Sequence, residues 1–362
     1  MKSIRISIAI ITTLLISFGI IMIYSSSGIY ALSKLGDASY FLKRHVLFLG
    51  VGLIFMLGVM AMDYRYLRTM AKPLLLSVIV MLILVLIPSI GTANFGARRW
   101  FSLGPINFQP SELAKIAMLV YLADFLARKQ NKIKSFREGF MPVIFILGIV
   151  CALIVQQPDL GNSLLVGGIV LIMLFIAGAR IWHLALLGGM AVPLIYVLIV
   201  KVPYRLRRII AFIDPWQDSQ GVGFQLSQSQ IALGSGGLWG VGLGKSVQKL
   251  FYLPAAHTDF ILSIIGEELG LLGTLTIVLL FILFIWQGTR IIKRTKDLFG
   301  YYLGIGLVVM LGLQAVVNIG VSIGALPTKG LPLPFISYGG SALVFNMIAV
   351  GLLLNISRTE EL

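Results

Sequence analysis

The chain has 362 residues, 58% hydrophobic and only 12% charged, with a mean hydropathy of +0.97. Such a balance excludes a soluble globular protein and leaves a polytopic membrane protein without a separate soluble domain, so residues 1–362 form one transmembrane unit. The formal net charge of +15 would suggest nucleic acid in a soluble chain, but here the basic residues crowd into short connections, which fits the positive-inside effect and anionic lipid instead.

The first apolar run, Ile8 to Gly28, follows Lys2 and Arg5. It is too long for a signal-peptide core and no small-x-small cleavage site follows, so we place a retained helix there. Further spans are expected at Val46 to Met62, Pro73 to Ile90, Ser111 to Leu126, Pro142 to Val155, Ser163 to Gly178 and Trp182 to Val200. Phe260 to Trp286, Tyr301 to Ala325 and Phe335 to Asn355 complete an all-α bundle of about ten helices. The single Cys151 lies inside an apolar run and reads as a small core residue.

Alternating the connections gathers Arg65, Arg68 and Lys72, then Arg128, Lys129, Lys132, Lys134 and Arg137, then Arg180, then Arg290, Lys293, Arg294 and Lys296 on one side. That side is cytoplasmic and holds both termini. The outward side receives two long connections, Gly91 to Pro110 and a large loop over 201–258 between helices 7 and 8. Loops of such length in a compact protein usually carry function. In the second, "VPYRLRRIIAFIDPWQD" reads as a basic amphipathic segment on the membrane surface, and a short helix is expected around Gln225 to Leu233.

Unusual polar residues converge on the outer face. Glu112 and Lys115 open the fourth span, Asp159 ends the fifth, His257 and Asp259 open the eighth, and Lys329 lies between the last two. Snorkelling explains single lysines at an interface but not the acids, which points to a shared outward site. Glu112 and Lys115, spaced i, i+3, suit either a plain ion pair at a helix start or a lysine held beside an active carboxylate.

Glu267 and Glu268 sit deeper. Glu268 lies nine residues beyond Asp259, about 13.5 Å along a helix, where pairing between elements fits better than chemistry. The passage "GLWGVGLGKS" misses the phosphate-binding P-loop pattern, because that pattern needs Gly at Trp239. Its glycines suit close backbone packing, or amides that hold a lipid phosphate with Lys245 and Lys249 beside them. "LPTKGLPLPFISYGGSA" contains Pro327, Pro332 and Pro334 and must be broken or re-entrant, which requires protein or a wet cavity around it. The three histidines are too dispersed for a metal motif.

Five ordered stretches carry a resemblance: "QPSELAK" from Gln109, "QQPDLGNSLL" from Gln156, "GFQLSQSQIALGSGGLWGVGLGKSVQKLFYLPAAHTDFI" from Gly223, "GEELG" from Gly266 and "PTKGLPLPFISYGGSA" from Pro327. Through them nearly the whole chain resembles the SEDS family of shape, elongation, division and sporulation proteins. "TKGLPLPFISYGG" and "GLGKSVQKL" look more like its division branch than its elongation branch.

The resemblance implies a peptidoglycan glycosyltransferase of the bacterial cytoplasmic membrane, at the division septum. It would polymerise lipid II, release undecaprenyl pyrophosphate, and work with a class B penicillin-binding transpeptidase and other divisome membrane proteins. The resemblance then makes Asp259 the essential carboxylate, with Glu112, Lys115 and Lys329 implicated beside it, and we expect it to act as the general base. We add His257 to the substrate site, and Arg205, Arg207, Arg208, Lys245, Lys249 and Lys329 as candidates for a pyrophosphate clamp. No cofactor is evident, and a divalent cation stays open. Where the family commonly has Glu two residues before the His, this chain has Ala255, which leaves Asp259 carrying more of the site. A lipid II flippase and a noncatalytic divisome scaffold are the rival readings; the flippase lacks the paired broken helices usual in transporters.

Overall fold

The structure is a computed structural model that describes residues 1–359 except 95–96, 105, 219–220, 222 and 255, so Ala255 falls outside the described residues. In chain order the main helices are α1 Lys2–Leu35, α2 Tyr40–Ala61, α3 Tyr66–Leu84, α4 Pro110–Arg128, α5 Met141–Gln156, α6 Leu160–Ile176 and α7 Ile181–Val200. They are followed by α8 Pro203–Ile213, α9 Phe224–Ser235, α10 Ile261–Ile292, α11 Leu298–Ser322 and α12 Gly340–Thr359.

Among the described residues, eight helices are long and apolar enough to cross a membrane, and α6, at 17 residues, is an apolar helix just short of that length. The remaining expected span, α4, carries Glu112, Lys115 and Asp124, which a lipid-facing helix would not tolerate. Its surroundings resolve the conflict. All of α4 except Leu113, Ala127 and Arg128 is buried, because α3, α5, α6, α11 and α12 enclose it. By contrast α7 buries none of its residues, packs mainly on α6 and α8, and presents Trp182, Met190 and Tyr196 outward.

At the end expected to be cytoplasmic, Arg128 Nη2 and Arg68 Nε lie 2.7 and 3.3 Å from the Asp124 carboxylate, joining α3 to α4. Tyr64 Oη donates to Asp297, whose other role is to cap α11 at the Gly300 amide.

The chain is the expected all-α membrane bundle, and one loop adds a feature that the sequence did not announce. The loop before α4 folds into a small antiparallel sheet, β1 Thr92–Asn94, β2 Ala97–Leu103 and β3 Ile106–Phe108, in the order β1-β2-β3. Phe108 stacks on Phe101 and meets Phe345 edge-on, which lays the sheet against α12. The last span also begins later than expected, at Gly340. The stretch before it has no regular structure, yet Leu331, Leu333, Phe335 and Ile336 are buried in protein, as backbone at membrane depth requires.

α10 is interrupted. Gly270 takes φ 67° and ψ −164°, a conformation open only to glycine, and the helix loses its own hydrogen bonds at that turn. The glycine passage after α9 replaces them. The amides of Val241 and Gly242 donate to the carbonyls of Glu267 and Glu268 at 2.9 and 3.0 Å, and the amides of Leu271 and Leu272 donate to Gly237 and Leu238. A first side-chain carbon at Gly240 would stand 2.2 Å from the Glu268 carbonyl oxygen, so the strap fits only as glycine.

Candidate functional site

Two sets of carboxylates lie on α10 and its approach, with different surroundings. Glu267 accepts the Ser246 hydroxyl, and the Val247 amide at 2.8 Å. Glu268 accepts Lys249 Nζ at 2.7 Å and the Ser25 hydroxyl at 2.7 Å, with side-chain exposures of 4% for Lys249 and 0% for Glu268. These acids anchor the strap and α1 to the broken turn. Lys249, expected in the phosphate clamp, is thereby committed to Glu268 and also donates to the Ser25 hydroxyl at 3.2 Å, and these partners offset the cost of burying its charge.

Asp259 lies in the approach to α10, two residues before the helix begins, and is half-buried. Its carboxylate lies against the backbone of Gly330: a first side-chain carbon there would stand 3.4 Å from Oδ2. Gly330 is exposed and does not have a positive φ, so its lack of a side chain keeps the approach to the carboxylate open rather than permitting a turn. Burial pushes the Asp259 carboxyl up to about 6, against the opposing pull of the Arg208 and Arg99 guanidiniums.

Lys329 is half-buried beside Gly330, and burial holds its ammonium below the usual lysine range. Gly161 bridges it to Asp159: a side-chain carbon at Gly161 would lie 3.7 Å from both Lys329 Cβ and Asp159 Oδ1. Asp159 caps α6 through the Asn162 amide and also accepts Asn162 Nδ2 at 2.9 Å and Gln109 Nε2 at 3.3 Å. Asn162 and Gln109 in turn adjoin Ser111 and Ser341. One turn further along α4, Lys115 Nζ lies 2.7 Å from Glu112 Oε2, with both side chains almost wholly enclosed.

The segments that start at Gln109, Gln156, His257 and Lys329 therefore meet at one end of the bundle, the end expected to face outward. Arg99 joins them and was missed. It projects from β2, donating Nε to the Gln157 carbonyl at 2.8 Å and Nη2 to the Pro158 carbonyl at 2.5 Å. No pattern around Arg98 and Arg99 distinguishes them from ordinary interfacial arginines; only the unforeseen sheet carries Arg99 to the site.

Other expected site residues are placed differently. His257 is packed among Phe41, Tyr30 and Tyr338, with 4.4 Å between its ring and that of Phe41, and burial drops its imidazole to about 4. It is neutral near pH 7 and brings no positive charge to a phosphate. Arg205 donates to the Leu198 carbonyl at 3.0 Å and lies over Tyr204, closing the end of α7. On the same helix Arg207 and Arg208 are exposed, and of these Arg208 acts on Asp259. Lys245 is exposed on the strap. Among the described residues no cluster of three His, Cys, Asp or Glu stands ready to hold a metal ion.

The fold and this outward cluster define a polytopic membrane protein with an ionisable site at one end of its helices. The chain belongs to the cell cycle protein family that groups FtsW, RodA and SpoVE, which matches residues 5–362. It is 47% identical to the probable peptidoglycan glycosyltransferase FtsW of Geobacter metallireducens, over 97% of this chain and 93% of that protein. It is 45% identical to stage V sporulation protein E of Bacillus subtilis, over 97% of this chain and 96% of that one. Its fold matches a chain of a solved peptidoglycan synthase complex that coordinates polymerization and crosslinking, at TM-score 0.79 and 28% identity, covering 98% and 97% of the two chains. The rod shape determining protein RodA of Thermus thermophilus matches at TM-score 0.72 and 28% identity, with the same coverage.

Proposed function

We propose that this protein is a peptidoglycan glycosyltransferase that polymerises lipid II at the outer face of the cytoplasmic membrane during septal wall synthesis. The observation that carries the site assignment is the contrast between α10 and its approach: Glu267 and Glu268 are saturated with partners, whereas Asp259, just before the helix, is raised to about 6 and flanked by cations.

Asp259, ionised near pH 7, accepts the proton of the acceptor sugar's 4-hydroxyl. That oxygen attacks the anomeric carbon of the donor, the bond to undecaprenyl pyrophosphate breaks, and a single displacement inverts the carbon. A base with a pKa just below working pH combines ionisation with basicity. The departing pyrophosphate needs positive charge rather than a strong acid, and Arg99, Arg208, Lys329 and the exposed Lys245 are the cations we assign to it. The Glu112–Lys115 pair would support this wall of the site from α4.

A class B penicillin-binding transpeptidase is the proposed partner, consistent with the two-activity complex that the fold matches. Polymerisation of labelled lipid II by the purified protein, alone and with that partner, tests the reading. Glycan polymer is expected in both. Lipid II moving across vesicles without polymer would favour transport and overturn it.

A further inference from the structure

We propose that Asn318 is a positioning residue for the glycosyl transfer, holding the Asp259 backbone and the Lys329–Gly330 segment at a fixed separation. The inference rests on Asp259 being the reacting carboxylate. Asn318 lies near the outer end of α11 and is 1% exposed. Its single amide nitrogen makes two hydrogen bonds, one to the Asp259 carbonyl at 2.9 Å and one to the Leu331 carbonyl at 2.8 Å. Both carbonyls belong to irregular segments on either side of the proposed site. Neither can gain a helical partner there.

The orientation of this amide is forced. With nitrogen and oxygen exchanged, the side-chain oxygen would face two carbonyl oxygens, whereas as placed Oδ1 is buried without a hydrogen-bond partner. A buried acceptor left unmade costs free energy, yet the geometry keeps it in order to make the double bridge. Nor is Asn318 needed to pin α11. The Ser229 hydroxyl donates to the Ser322 carbonyl at 2.7 Å and lies 2.6 Å from the Ser263 hydroxyl, which ties α9, α10 and α11 together independently. Removing the Asn318 amide therefore releases the two segments while the helices stay joined.

The consequence is specific. The carboxylate of Asp259 rests on Gly330, one residue from Lys329, so the proposed base and cation share one frame that Asn318 closes. A displacement of about 1 Å at a reacting group can cost on the order of a hundredfold in rate.

The test uses the full-length protein in vesicles with labelled lipid II, comparing wild type with Asn318→Ala, Asn318→Asp and Asn318→Gln. Asn318→Ala is expected to lower kcat on the order of a hundredfold with KM within about twofold, as for loss of alignment rather than of substrate binding. Asn318→Asp, which keeps the shape but turns a donor toward neither carbonyl, is expected to behave alike, whereas Asn318→Gln keeps both N–H groups and recovers part of the rate. Hydrogen exchange in residues 326–334 should rise in Asn318→Ala while the cytoplasmic half of α11 stays protected. Wild-type kcat in the alanine and aspartate variants would overturn the inference, as would exchange rising throughout α10 and α11. Asp259→Asn runs in parallel. If it polymerises at the wild-type rate, the reading of Asp259 fails; if it is silent while Asn318→Ala is fully active, only the positioning role fails.

Discussion

Asp259 and Glu268 lie nine residues apart on one short stretch of chain, and their surroundings differ in what they complete. Glu268 has an ammonium and a hydroxyl within hydrogen-bonding distance and no exposure, so its charge is spent on holding α1, the glycine strap and α10 together. Asp259 lies against a bare glycine backbone, with Arg99 and Arg208 acting on it by charge. A carboxylate whose partners are all supplied by the fold builds structure. One whose setting favours protonation, beside an exposed glycine, remains available to a hydroxyl that arrives from outside.

The comparison breaks most visibly at the deep pair. Lys249→Met removes one partner of a buried ion pair and should cost about 3–5 kcal/mol of stability. Thermal unfolding in detergent reads this as a large fall in melting temperature. An unchanged melting temperature would mean that the strap is held by its glycine backbone alone.

Arg208→Ala sharpens the other side. With Asp259 at about 6, the polymerisation rate should fall as pH drops through that value, because only the ionised form accepts a proton. Arg208 favours the charged carboxylate, so its removal raises the Asp259 pKa further and moves the acid limb of the profile to higher pH. A limb that moves to lower pH, or stays in place, would separate Arg208 from Asp259. The smallest effect belongs to Ser25→Ala, which removes the hydroxyl shared by Glu268 and Lys249 while their ion pair remains. Loss of about 1.5–3 kcal/mol, the range for a bond to a charged group, is expected in unfolding measurements, with polymer yield near wild type.

Much of the architecture is legible in the sequence because lipid leaves few choices. Long apolar runs must be helices, and each expected span from Ile8 to Asn355 has a counterpart in the bundle. The basic face of α8 and the short helix α9 are likewise readable from local pattern. What escaped the sequence depends on partners far away in the chain. The strands around Arg99 are short and carry charges, so nothing local separates them from coil. Lys249 and Lys245 look alike four residues apart, and only the path of the strap sends one to Glu268 and leaves the other exposed. His257 reads as a polar site residue beside Asp259, yet its ring is claimed by aromatics of α1 and α2. Asn318 sits in an apolar run with no local mark of the two carbonyls it joins.

The central claim is that Asp259 performs chemistry while Glu267 and Glu268 hold the frame. Purified Asp259→Asn protein given labelled lipid II tests it most directly, with melting temperature measured on the same sample. The account predicts a loss of polymerisation of about 10²–10⁴-fold, the range for a general base, in a protein as stable as wild type. Polymer formed at the wild-type rate by that variant would contradict it.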